Sequence, residues 1–319
     1  MVERATNSAP TNGGTNGSTD LAELPGPGSE VPAVIDRVGV VGCGLMGSGI
    51  AEVSARAGLS VIVVEAGQDA LNAGRRRIES SLAKAVDRGK LSPEARADAL
   101  ERMKFSTRMA DLADRELVIE AVVERFDVKA AVFEQLDAVT GPGTILASNT
   151  SSIPIMRLAM MTRRPAEVLG LHFFNPVPVM RLVELVTSLL TSDTTAVRAA
   201  DFIDQVLHKR IVRSKDRAGF IVNALLIPYL LSAIRMIESG FATAADIDAG
   251  MVEGCAHPMG PLALSDLIGL DTVSAVAESL YDEFKEPLYA PPPLLDRMCE
   301  AGLLGRKVGR GFYEYNGRA

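Results

Sequence analysis

The chain has no tryptophan, three histidines and three cysteines in 319 residues. Cys43, Cys255 and Cys299 stand far apart, which excludes a disulfide framework and shows no metal-ligand spacing. Such usage fits a reducing compartment. Long apolar runs are missing as well. The longest uncharged apolar run, Phe220 to Ile234, holds Asn223 and Pro228 and falls short of the roughly 20 residues of a membrane helix. Basic excess is absent: a net charge of −7 argues against a nucleic-acid partner. Residues 1–30 are rich in Asn, Gly, Thr, Ser and Pro and nearly lack apolar side chains. They are expected to form a disordered tail and match neither a signal nor a transit peptide.

What is present is the composition of a soluble globular protein, 47% hydrophobic and 23% charged, at a length that suits two domains. Val34–Val41 reads as a strand, Leu45–Ala57 as a helix closed by Gly58, and Ser60–Glu65 as a second strand. The second strand is nearly all apolar, as in a sheet covered on both faces. Residues 68–104 carry a charged helical period broken near Gly89–Pro93, the pattern of a helical hairpin inserted beside the sheet. Strands are expected at Leu117–Val123, Thr144–Ser148, Val168–His172 and Leu182–Val186. Helices are expected at Lys129–Val139 and Ile153–Met160, and a last helix–strand pair within Ala196–Val212. Strands alternating with helices imply a doubly wound, Rossmann-like α/β domain. Beyond Lys215–Gly219 the period is helical, with at most one strand at Phe312–Tyr315. The expected division is a tail at 1–30, a dinucleotide-binding domain at 31–214 and an all-α domain at 215–319.

Gly42-Cys43-Gly44-Leu45-Met46-Gly47 falls between the first strand and the first helix. In that context the first glycine permits the turn, the second lets the backbone approach a pyrophosphate, and the third allows close helix packing. The helix N-terminus then offers free N–H groups to phosphate. Glu65 ends the second strand, where a carboxylate accepts bonds from ribose hydroxyls and repels a 2′-phosphate, so NAD is the expected cofactor. Cys43 is expected to be a packing residue rather than a redox one.

One block stands apart: Gly170-Leu-His-Phe-Phe-Asn-Pro-Val-Pro-Val-Met-Arg-Leu-Val-Glu184-Leu-Val. Two apolar runs flank the turn Asn175–Pro178, so a hairpin is expected to fold His172 against Glu184. Imidazole titrates near neutral pH, and a carboxylate can orient it as a general base. His208 is expected at the surface and His257 in a helix connection. Arg75–Arg77 is either a solvated face or an attractant for an anionic ligand.

These blocks resemble the L-3-hydroxyacyl-CoA dehydrogenases, particularly the 3-hydroxybutyryl-CoA type. The resemblance rests on Gly42–Ala51, Glu120–Glu124, Ser148–Ser152, Gly170–Val186, Asp216–Asn223 and Gly305–Tyr313, in that order, and spans about residues 35–316. It implies NAD-dependent oxidation of (S)-3-hydroxyacyl-CoA, with His172 as base and Glu184 as its orienter. Ser151 and Asn223 would meet the substrate oxygens. Glu124, Lys129, Ser151, Asn175 and Lys307 would lie near NAD, and Ser81 and Arg88 near coenzyme A. Arg88 stands where the family often has lysine. Asn223 sits in an apolar helix, where an unpaired amide would cost about 1–3 kcal/mol. The resemblance further implies a cytoplasmic enzyme of short-chain fatty acid or butanoate metabolism, dimeric through its helical domain. Two alternatives stay open: a dehydrogenase of a free hydroxy acid, as in the gulonate type, and a catalytically silent NAD-binding protein.

Overall fold

A computed structural model describes residues 34–315; the expected tail at 1–30 lies outside the described residues. One eight-stranded sheet runs in the order β3-β2-β1-β4-β5-β6-β7-β8. Strands β1 (Arg37–Val41), β2 (Ser60–Val64), β3 (Met103–Ser106), β4 (Leu117–Glu120), β5 (Ile145–Ser148) and β6 (Val168–Phe173) are parallel. Strand β7 (Leu182–Thr187) turns antiparallel to β6, and β8 (Arg210–Lys215) follows β7. The chain order reverses at β1, which lies between β2 and β4. In doubly wound sheets the crevice for ligands opens at that switch point, outside the carboxyl ends of the strands.

Strand alternation divides the core into two layers. Val38, Val40, Val61, Val63, Leu117 and Ile119 face one cluster, with buried residues of α1 (Leu45–Arg56), α2 (Gln68–Asp87) and α3 (Pro93–Glu101). Val41, Ile62, Val64, Val118 and Leu146 face the other, with α4 (Phe126–Val139) and α5 (Ile155–Ala159). Burial of each such side chain contributes about 1.5–3 kcal/mol. Helix α6 (Asp193–Asp201) continues into a π-helical turn before β8.

Three expected boundaries move. The helical span 68–104 ends in strand β3, because Met103–Ser106 pair with β2. Four residues of an edge strand, with charged Lys104 among them, leave no apolar run to read. Strand β4 stops at Glu120 rather than Val123, since the Glu120 carboxylate accepts from Val122 N and turns the chain. Helix α4 therefore begins at Phe126, ahead of Lys129. The break near Gly89–Pro93 is real: Ser92 caps α3 by accepting from Ala95 N, with Pro93 in the first turn.

Beyond β8 come α7 (Val222–Glu238), α8 (Ala244–Cys255), α9 (Pro261–Ile268), α10 (Leu270–Phe284) and α11 (Pro293–Glu300). They close on their own core of Leu230, Leu231, Ile234, Leu262, Leu270 and Leu280, all fully buried. The Gly305–Tyr313 motif is a clasp on this bundle, and the strand expected at Phe312–Tyr315 is reduced to isolated bridges. Asp266 accepts from Phe312 N, Tyr313 N and the Tyr315 hydroxyl. Asp248 accepts from Leu262 N, Ala263 N and the Tyr313 hydroxyl, so it also caps α9. A Cβ on Gly311 would come within 2.0 Å of Asp266 Oδ1, so no larger residue fits there without movement. At the junction, Asp216 accepts from Ile155 N and Met156 N, and Glu283 accepts from Ala218 N.

Candidate active site

At the end of β1, Gly42 takes φ +93 and its N–H donates to Val64 O. A Cβ on Gly47 would meet Gly42 O at 1.9 Å, so only glycine lets α1 start this close to the strand. A Cβ on Gly44 would meet nothing within 4 Å. The turn is therefore packed at its first and third glycines and open at its second, where a ligand would approach. Helix α1 starts with no side-chain cap and no acidic residue in its first turn. Its leading N–H groups, from Leu45, Met46 and Gly47, are left to an anion. Glu65 Oε2 accepts from Cys43 N at 2.7 Å, which ties the end of β2 to the turn. These residues fit a dinucleotide.

Two further residues hold this turn: Gly74, which the sequence reading passed over, and Arg77, which it weighed only as part of a basic run. A Cβ on Gly74 of α2 would lie 2.2 Å from Cys43 Sγ, so α2 rests directly on the turn. The Cys43 thiol is buried, and burial raises its pKa. Arg77, one turn along α2, donates to Cys43 O at 2.8 Å. The Arg75–Arg77 run is thus split: Arg75 pairs with Glu79, while Arg77 braces the turn. A glycine inside a helix costs about 1 kcal/mol against alanine, and that anomaly was the available signal for Gly74.

Antiparallel pairing sets His172 directly opposite Glu184. His172 Nδ1 and Glu184 Oε2 are 2.7 Å apart; His172 is 7% exposed and Glu184 is fully buried. The other carboxylate oxygen, Oε1, accepts from Ile221 N at 3.0 Å and Val222 N at 2.9 Å. Glu184 therefore joins the histidine to the start of α7, where the helix dipole favours its charge. Gly219 and Phe220 both take positive φ, 71° and 48°, to deliver those N–H groups. The Phe174 and Phe220 rings flank the imidazole at 4.5 and 5.6 Å between centroids. Phe220 is non-glycine at positive φ, a strained backbone held by its surroundings.

Asn175 is exposed in the turn between β6 and β7. Val177 of that turn packs on Gly49 of α1, and Lys209 donates to Val177 O and Met180 O at 2.7 and 2.6 Å. Burial lowers the Lys209 pKa, with the Arg56 charge adding to the effect. A lysine beside the exposed His208 offered no periodicity signal for burial.

Strand β5 leads into the serine loop, which is built around Glu124. Its Oε1 accepts from Ser151 N at 2.9 Å, and from Ser152 N and Oγ at 3.2 Å. Ser152 is buried and Ser151 is half-buried, leaving Ser151 the more accessible hydroxyl. Burial pushes the Glu124 carboxyl up, but the Lys129 charge and the Thr150 and Ser151 hydrogen bonds outweigh it and hold the pKa below the ordinary value. Lys129 is 1% exposed and enclosed by Glu120 at 2.7 Å and Glu124 at 3.2 Å.

Asn223 stands in the first turn of α7, next to Val222, which donates to Glu184. It is half-buried rather than enclosed, so the cost expected of an unpaired, fully buried amide does not apply. Ser81 lies beside the buried Glu52 of α1, and Arg88 is exposed at the C-cap of α2. Lys307 pairs with Asp271 at 2.5 Å, at the start of α10. No hydrogen bond or ion pair among the described residues joins it to the glycine turn, the serine loop or His172. Tyr229 of α7 meets His257 of the α8–α9 connection at 3.2 Å.

A glycine turn at the switch point of a parallel sheet, a carboxylate ending β2 and a histidine–carboxylate pair on neighbouring strands define a class: a dinucleotide-binding α/β protein equipped for proton transfer. Comparison with known proteins narrows it. The family model for the 3-hydroxyacyl-CoA dehydrogenase NAD-binding domain matches residues 37–217, and that for the C-terminal domain matches 219–315. The chain belongs to the 3-hydroxyacyl-CoA dehydrogenase family, as its motifs had implied. It is 60% identical over 282 residues to a 3-hydroxybutyryl-CoA dehydrogenase of Mycobacterium tuberculosis, covering 88% of this chain and 99% of that protein. The crystal structure of M. tuberculosis FadB2 superposes with a TM-score of 0.88 at 59% identity, covering 89% of this chain and all of that one. That of the (S)-3-hydroxybutyryl-CoA dehydrogenase PaaH1 from Ralstonia eutropha gives 0.84 at 46%, covering 89% and 100%.

Proposed function

We propose that the protein interconverts a short-chain (S)-3-hydroxyacyl-CoA, 3-hydroxybutyryl-CoA in particular, and its 3-oxoacyl-CoA, with NAD as cofactor. The observation that carries the chemistry is the 2.7 Å contact between His172 Nδ1 and Glu184 Oε2. It commits Nδ1 to the carboxylate and leaves Nε2 to take the proton of the C3 hydroxyl. Bound NAD supplies the acceptor for the hydride that leaves C3. Glu184 keeps one tautomer and stabilises the imidazolium as it forms. Ser151 and Asn223 hold the substrate oxygens, and Glu124 shapes the loop that presents Ser151. The turn from Gly42 to Gly47 receives the diphosphate, Glu65 the adenosine ribose, and Asn175 lies toward the nicotinamide. In the reducing direction His172 gives its proton back to the carbonyl oxygen.

In this reading the NAD-binding part extends to residue 214 and the helical part covers 215–319. Ile221, Leu225 and Met236 share one face of α7 and are exposed, as is Phe241 just beyond it. That apolar face supports a homodimer through the helical part. Among the described residues no helix is long and apolar enough to cross a membrane. With the reducing-type cysteine usage, this supports a cytoplasmic place in short-chain fatty acid or butanoate metabolism. The activity is tested by following NADH loss with acetoacetyl-CoA and with free acetoacetate. Turnover of the thioester is expected; turnover of the free acid alone would overturn the coenzyme A assignment.

A further inference from the structure

Glu120, Lys129 and Glu124 form a charge cluster beneath the serine loop that takes no part in the proton transfer. Two carboxylates share one ammonium: Lys129 Nζ lies 2.7 Å from Glu120 Oε1 and 3.2 Å from Glu124 Oε2. Among the described residues no second cation pairs with either carboxylate. The cluster therefore carries one negative charge that its cation does not offset. Glu120 and Lys129 are fully buried and Glu124 is the solvent-facing end, so the excess is only weakly screened at its inner side. The other donors to these carboxylates are uncharged. Glu120 accepts from Val122 N at 2.7 Å and Ser148 Oγ at 2.6 Å, and Glu124 from the Ser151 and Ser152 N–H groups.

The place of the cluster decides what this charge meets. In strand order β4 and β5 stand between β1, which leads into the glycine turn, and β6, which carries His172. Glu120 is the last residue of β4 and Ser148 the last of β5. A dinucleotide with its diphosphate on the turn and its ribose on Glu65 reaches His172 only across the ends of β4 and β5. The end that crosses is the nicotinamide, because the hydride has to leave beside the base. Two strand spacings, roughly 10 Å, separate β4 from β6. The serine loop bridges that gap: Thr150 N donates to Ser148 Oγ at 3.1 Å, and Phe173 N, next to His172, donates to Asn149 Oδ1 at 2.9 Å. The two oxidation states of the ring differ in charge. Oxidised nicotinamide is a cation and the reduced dihydropyridine is neutral, so a buried negative excess attracts the first and is nearly indifferent to the second.

We propose that Glu120 sets the preference of the cofactor site between NAD⁺ and NADH, its buried carboxylate giving the Glu120–Lys129–Glu124 cluster the negative excess that favours the oxidised ring. This rests on the placement of NAD proposed above and asks nothing of the acyl substrate. The test is a pair of dissociation constants, NADH by its own fluorescence and NAD⁺ by displacement of NADH. They are measured for the parent protein, Glu120→Gln and Glu120→Gln/Lys129→Met. Glu120→Gln keeps the shape and an acceptor for Val122 N and Lys129, and leaves the cluster neutral. The double variant removes one charge of each sign and restores the excess of one. The ratio Kd(NAD⁺)/Kd(NADH) should rise roughly threefold to twentyfold in Glu120→Gln and return to within about twofold of the parent in the double variant. A merely structural role would weaken both forms alike and leave the ratio unmoved. An unchanged ratio in Glu120→Gln, or one that stays high in the double variant, would overturn the proposal. If thermal melting shows that either buried variant fails to fold, Glu124→Gln, which removes the cluster's other negative charge, is held to the same rise in ratio. A parent protein that binds neither NAD⁺ nor NADH would sink the cofactor placement itself, a result distinct from any of these.

Discussion

The glycine turn and the His172–Glu184 pair are the two halves of one site, and they are built in opposite ways. The turn is local and made of backbone: Gly42 to Gly47 follow one another, and their task is to be small and leave N–H groups free. The pair is assembled from three separated segments, His172 on β6, Glu184 on β7 and the Ile221 and Val222 N–H groups at the start of α7. The first depends on the absence of side-chain atoms, the second on the placement of a few. Damage to the turn should therefore abolish cofactor binding and leave the pair intact, and damage to the pair should do the reverse.

The largest effect expected is on turnover. His172→Ala should lower kcat by about 10²- to 10⁴-fold, the range for loss of a general base, while NADH binding followed by fluorescence stays near the parent value. Glu184→Gln should also be severe, because it removes the orienter of His172 and replaces a carboxylate that accepts from two N–H groups. Parent-like turnover in either variant would show that the pair is misassigned.

Gly47→Ala is the complementary break. Its Cβ would lie 1.9 Å from Gly42 O, so the turn must open. NADH affinity should fall by more than about tenfold, the effect of losing roughly 1.4 kcal/mol. Gly44→Ala sharpens the contrast. Nothing of the protein lies within 4 Å of that Cβ, so thermal stability should be retained while KM for NAD rises. If Gly44→Ala left KM for NAD unmoved, the open side of the turn would not be the ligand side.

The smallest effect concerns pH. Glu124, held below its ordinary pKa in the fold, contributes stability that is present above the unfolded value of about 4.3 and is lost as pH falls through the folded value. Urea midpoints measured between about pH 7 and pH 3.5 should drop on the acid side for the parent and less steeply for Glu124→Gln. Equal acid slopes would remove Glu124 from the groups that hold the serine loop.

Legibility followed the same divide. Continuous apolar strands, the glycine spacing and the Asn175–Pro178 turn announce themselves because each is governed by neighbours a few residues away. Strand β3 did not, since an edge strand of four residues exists only by pairing with β2. Lys129 was expected beside the cofactor and Lys209 drew no reading, yet both are buried, one between carboxylates and one against carbonyls. Nothing in a local pattern reports a partner far along the chain. Gly74 left a trace, a glycine inside a helix, whose reason is Cys43.

By itself the sequence determined that a dinucleotide turn opens the chain's α/β half, that NAD suits Glu65, and that a histidine and a carboxylate face each other across a hairpin. Period, turn chemistry and spacing are short-range properties, and they suffice for those statements. Only the tertiary structure decided that Glu184 also receives the N-terminus of α7, that α2 rests on the glycine turn through Gly74 and Arg77, and that Arg181 and Arg210 stand together without an ion-pair partner among the described residues. Each of these is a meeting of segments separated along the chain, set by how the sheet and helices pack.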